Sequence, residues 1–188
     1  MKMILNSMLV VIALALSASA AERGPRVFSA RLSGYNEVHF DASGPALRGA
    51  VSTPATGSFL ATLNSAGDII DYELTYQALT GTVTQAHIHF GQPSTVGGIV
   101  VWLCQTATNQ APGTLANSTP TCPQEGTVKG TIMANQVLAQ GAQGFAAGDF
   151  DALIQALRAE TAYANVHSSP TFGQGEIRGQ INIGRRGK

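Results

Sequence analysis

The chain has 188 residues, 12 % of them charged, with eleven Lys and Arg balanced by eleven Asp and Glu. That balance leaves no basic footprint of the kind a nucleic-acid surface requires, and the length suits one domain with a core of its own. The basic cluster Arg185-Arg186-Gly187-Lys188 at the C-terminus reads as a solvated tail.

The N-terminus has the three parts of an export signal: Lys2, an unbroken apolar run over 8–16, and Ala18-Ser19-Ala20 as a small-x-small cleavage site. This predicts a signal peptide over 1–20 and one mature β domain over 21–188, exported to the periplasm or the extracellular medium. The apolar run is shorter than the about 20 residues a bilayer span needs, so no membrane anchor is expected after cleavage. Export also sets the redox context of the two cysteines. Cys104 and Cys122 stand in no C-x-x-C, and an oxidising compartment favours a disulfide between them.

Period-two alternation runs through the mature chain, the pattern of half-buried strands. Phe28, Ala30 and Leu32 alternate with Val27, Ser29 and Arg31. Phe59, Ala61 and Leu63 precede a turn at 64–68, and Tyr72, Leu74 and Tyr76 follow it, which predicts a hairpin. Further strands are expected at 83–90, 99–103, 128–132 and 176–183. Short strands between Gly-, Pro- and Thr-rich turns predict an all-β fold, an antiparallel Greek-key sandwich or barrel. One amphipathic helix near the C-terminus interrupts the pattern, expected over 150–163 from Phe150, Leu153, Ile154, Leu157 and Tyr163, with Asp149 as N-cap. The stretch 136–148 reads as a mobile approach to that helix.

Four histidines occur: His39, His87, His89 and His167. On a strand, residues i and i+2 share a face, so His87 and His89 point one way while Ala86, Ile88 and Phe90 point the other. Two such imidazoles can chelate one copper or zinc ion, and His167, expected just after the helix, is the candidate third ligand. Histidines on a polar face need no metal, and both readings stay open. In Gly175-Glu176-Ile177-Arg178-Gly179-Gln180, Glu176 and Arg178 are expected on one face. Glu176 either orients a histidine or joins the ligand set, or else it pairs with Arg178 to hold strand register. Arg178 is expected to pair with Glu176 or Glu37. There is no Gly-x-Ser-x-Gly elbow, no glycine-rich phosphate loop and no sequence sign of a paired-carboxylate site, and no catalytic residue is assigned.

These residues resemble a known family. Phe28-Ser29-Ala30-Arg31-Leu32-Ser33-Gly34 with Asn36-Glu37-Val38, then Thr84-Gln85-Ala86-His87-Ile88-His89-Phe90-Gly91, then 162–168 and 175–180 are similar, in order, to the motifs of the CHRD domain, the module named after chordin. His39-Phe40 departs from the family's Glu-Val-Pro-Pro continuation, and His39 is read as a surface substitution. The resemblance implies an extracellular β module without an assigned enzymatic activity, and a protein or matrix partner of unknown identity is expected. His87-Ile88-His89 with Gly91 also faintly resembles the copper-binding strand of Cu/Zn superoxide dismutases, whose dinuclear site needs more histidines than the four present here. The expected function is therefore a non-catalytic exported module binding one copper or zinc ion. The alternatives are a mononuclear metal-dependent oxidoreductase of superoxide-dismutase-like character and a metal-free structural or adhesive module.

Overall fold

The structure is a computed structural model that describes Gly24, 26–40 and 47–184. The proposed export signal and the basic tail lie outside the described residues.

Eleven strands and one α-helix are formed among the described residues: β1 (Val27–Ser33), β2 (His39–Phe40), β3 (Leu47–Arg48), β4 (Thr56–Leu63), β5 (Ile70–Gln77), β6 (Thr82–Phe90), β7 (Gly98–Cys104), β8 (Gly126–Ile132), α1 (Phe150–Arg158), β9 (Ala162–Ser169), β10 (Phe172–Gln180) and β11 (Asn182–Ile183). The main sheet runs β7-β6-β9-β10-β1-β4-β5-β8, every pairing antiparallel, and β11 adds to β1. Its two end strands, β7 and β8, meet, so the sheet curls into a nearly closed eight-stranded barrel. Closure removes exposed strand edges, the usual liability of antiparallel sheets. Because β9 and β10 insert between β6 and β1, the order is of Greek-key type.

Alternation decides which side chains fill the barrel. Phe28, Leu32, Phe59, Leu63, Leu74, Ile88 and Ile132 point inward and are almost wholly buried, each contributing about 1.5–3 kcal/mol by leaving water. Two tyrosines in the core keep their hydroxyls bonded: Tyr72 donates to the Leu103 carbonyl and Tyr76 to the Pro123 carbonyl, both at 2.5 Å. The 64–68 turn is closed by Asn64, whose side-chain oxygen accepts from the amides of Gly67 and Asp68. Cys104 and Cys122 form a disulfide that ties the end of β7 to the segment entering β8.

Two expectations are corrected here. The helix begins as predicted, with the Asp149 side chain accepting from the Ala152 amide at 2.9 Å, but it ends at Arg158. Glu160 turns the chain through a left-handed conformation, φ 56°, and Tyr163 belongs to the buried strand β9. The segment 136–148 is also no loose approach. Val137 and Phe145 enter the core, Gln140 donates to the Ile99 carbonyl, and Gln143 donates to the Phe90 carbonyl. The Leu138 amide also donates to the Val100 carbonyl of β7, so backbone and side-chain amides together tie this irregular segment to the sheet. Among the described residues, no helix is long and apolar enough to cross a membrane.

Candidate metal centre

The site is built on the outer face of the barrel wall, where β6 and β9 lie side by side. Ala86 and Ile88 of β6, with Ala164 and Val166 of β9, face the core. His87 and His89 therefore face outward, as do Tyr163, Asn165 and His167. In register, His87 lies opposite Asn165 and His89 opposite Tyr163. His167 is thus a strand residue, two positions from Asn165, and its side chain joins those of the His-x-His pair.

This outer face is buried all the same. His87 is 0 %, His89 7 % and His167 6 % exposed. The cover comes from the loop between β6 and β7, from the segment carrying Glu37, and from Trp102, whose ring stands edge-on to His87 at 4.4 Å. Arg178 fastens the loop by donating to the carbonyls of Thr95 and Gln92, at 2.6 and 3.1 Å. The Gly97 amide donates to the Tyr163 hydroxyl. Tyr163 lies between two flat groups, with the His89 ring stacked at 4.8 Å on one contact and the Arg178 guanidinium 3.3 Å from its centroid on another. Such cation–π contact holds the guanidinium flat on an aromatic face.

The hydrogen bonds settle which ring nitrogens carry protons. His89 Nδ1 donates to the Gly97 carbonyl at 2.9 Å, and His167 Nδ1 donates to the Gly173 carbonyl at 3.0 Å. A carbonyl only accepts, so in the neutral rings both Nε2 atoms hold lone pairs. His87 Nδ1 lies 3.2 Å from His167 Nε2. The Nε2 atoms of His87 and His89 are buried without a hydrogen-bond partner, a costly state for polar atoms inside a protein. Burial holds all three rings neutral: His89 and His167 are lowered to about 4, and His87 falls well below its ordinary value, with His167 and His89 adding to the effect. Neutral imidazole is the form that binds a metal.

One donor atom from each ring lies within 4.8 Å of the others. An ion with bonds of about 2.0–2.1 Å sets tetrahedral neighbours about 3.3 Å apart. The His87–His167 pair already has that spacing, Nδ1 to Nε2. Three neutral, convergent imidazoles fit copper or zinc.

The structure separates the acidic and basic candidates. A bulge in β10 between Phe172 and Ile177 interrupts alternation, so Glu176 and Arg178 do not share a face. Glu176 accepts from Thr53 Oγ1, the Thr80 amide and Ser168 Oγ, away from the histidines. Burial pushes its carboxyl up, but these donors outweigh that and hold it below its ordinary value. Neither the orienting role nor the ion pair with Arg178 is made. Glu37 does come to the site: it is 2 % exposed, its Oε1 accepts from the Val38 amide, and its Oε2 has no hydrogen-bond partner. Burial raises its carboxyl to about 7 against the opposing pull of the Val38 amide and the Arg178 charge. His39 is half-buried and bonded through Nε2 to the Gly175 carbonyl, so it is a joint between the Glu37 segment and β10 and not a surface substitution. Asn165, missed in the sequence reading, was detectable as the i−2 neighbour of His167 on one strand.

Comparison with known families matches residues 28–181 to the CHRD domain. No curated protein and no solved structure matches the chain.

Proposed function

Because the chain belongs to the CHRD domain family, we propose that it is an exported β module that binds and does not catalyse, and that it holds one copper or zinc ion through His87, His89 and His167. The convergence of these three neutral rings carries the reading. The Nε2 atom of His89 is buried without a hydrogen-bond partner, and an ion would satisfy it. Gly97 and Gly173 hold two of the rings by their Nδ1 protons, which aims Nε2 inward, as backbone carbonyls do behind many metal ligands. Export suits this reading: the family occurs in extracellular proteins, and the disulfide is at home in an oxidising compartment. The ion would fasten β6 to β9 beneath the 91–97 loop and so stiffen a surface offered to a protein or matrix partner. An oxidoreductase would need a coordination position open to water, and the near-complete burial of the rings weighs against one.

Metal content tests this. Refolded protein loaded with Cu²⁺ or Zn²⁺ and freed of excess is expected to retain one ion per chain by elemental analysis. His87→Ala and His89→Ala should lower affinity by more than the about 10–100-fold that loss of an outer partner costs. Wild-type protein that keeps no metal at neutral pH, or variants that keep it undiminished, would end the proposal.

A further inference from the structure

We propose that Asn165 completes the ion's shell, its side-chain oxygen standing as fourth ligand beside His87, His89 and His167; this rests on the metal reading above. Asn165 is 2 % exposed and lies opposite His87 in the β6–β9 register. Its Oδ1 is 3.2 Å from His167 Nε2. That approach is not a hydrogen bond. His167 spends its ring proton on the Gly173 carbonyl, so Nε2 presents a lone pair, and an amide oxygen presents lone pairs as well. His87 Nδ1 can bring one proton to His167 Nε2, which satisfies that pair and leaves the Asn165 oxygen still facing an acceptor.

Two acceptors held at this distance out of water are unfavourable unless a positive charge lies between them. His87 Nδ1 and Asn165 Oδ1 are each 3.2 Å from His167 Nε2. That spacing matches the about 3.3 Å edge of a tetrahedron with bonds of about 2.0–2.1 Å. The amide's direction is set from behind. Nδ2 faces the Glu37 carboxylate across Gly175, where a Cβ would collide with Glu37 Oε2 and come within 3.0 Å of Asn165 Nδ2. The reverse orientation would put the amide oxygen against a carboxylate. Asn165 also acts on the His89 ring, so its amide borders two of the three histidines. Four protein ligands make a closed site, which is the structural kind.

Cobalt substitution separates this proposal from the one it rests on. Refolded wild-type chain titrated with Co²⁺ should develop the strong visible bands of a four-coordinate ion. Asn165→Ala should bind Co²⁺ about 10-fold or more weakly, with weakened bands as water enters the shell. Asn165→Asp, made together with Glu37→Gln so that its second oxygen does not face a carboxylate, should keep the four-coordinate bands and bind Co²⁺ more tightly than the Glu37→Gln chain. If Asn165→Ala matches the wild type and the double variant matches Glu37→Gln, in spectrum and affinity, Asn165 is no ligand, while the histidine site stands on the loss seen in His87→Ala. If Asn165→Ala does not fold, the double variant decides alone, and affinity unchanged from Glu37→Gln overturns the assignment. A wild-type chain that binds no Co²⁺ removes both proposals.

Discussion

At Gly175 the backbone takes φ 127°, where L side chains are strained, and the missing Cβ makes room for the Glu37 carboxylate and the Asn165 amide. The glycine therefore serves two residues that are far from it in sequence. Gly175→Ala is expected to destabilise the fold by more than about 1 kcal/mol, since it adds both strain and a collision. Chemical denaturation measures this, and an unchanged midpoint would show that Glu37 moves aside freely. The same stretch shows how one irregular residue redirects chemistry. Glu176 and Arg178 are two positions apart, yet the bulge sends one to a cluster of hydroxyls and the other to Tyr163 and the 91–97 loop.

Among the elements, β9 is the one that positions the site. It brings Tyr163, Asn165 and His167 to one face, and it does so because α1 stops five residues before Tyr163 at a left-handed Glu160. Helical spacing of apolar residues runs on through Tyr163, so periodicity alone overshoots the helix end. The stretch between β7 and β8 is held differently. It has little regular structure beyond a single short turn of 3-10 helix at Gly113–Asn117, and the Cys104–Cys122 disulfide closes it over a separation of 18 residues. Replacing both cysteines by Ala should cost about 3 kcal/mol, read as a lower denaturation midpoint under oxidising conditions. The His cluster lies on β6 and β9, so metal retention should survive this change as long as the protein folds.

For the whole molecule, the buried histidines couple stability to pH. In the metal-free protein His89 and His167 are lowered to about 4, and His87 further, by burial. An unfolded histidine titrates at about 6.5, so between that pH and 4 the unfolded chain binds more protons and acid favours unfolding. The stabilisation is present above about 6.5 and is lost as pH falls towards 4. Glu37, raised to about 7, acts in the opposite sense: the folded chain holds its proton longer, so this group's contribution falls as pH rises from its ordinary carboxylate range to 7. Three histidines outweigh one carboxyl, and the denaturation midpoint should drop on going from pH 6.5 to 4. His167→Gln should flatten that slope, and a flat wild-type profile would contradict the burial of the rings. Bound metal would steepen the loss, because protons compete with it for the same nitrogens.

Alternation is local, and so strand identity could be read from the chain alone. The inward sets Phe28-Ala30-Leu32, Phe59-Ala61-Leu63 and Tyr72-Leu74-Tyr76, the 64–68 turn, the Asp149 cap, the shared face of His87 and His89 and the Cys104–Cys122 pairing were all legible. What the tertiary structure decided is non-local. His87 and His167 are 80 residues apart in sequence, and whether their rings meet depends on the order in which strands are laid beside one another. Sequence spacing carries no term for that order, nor for the 91–97 loop that buries an outward face, nor for the bulge that parts Glu176 from Arg178. Each of these arises because closing the barrel satisfies the backbone of all its strands at once, and the side chains on its outer wall take the neighbours that closure assigns them.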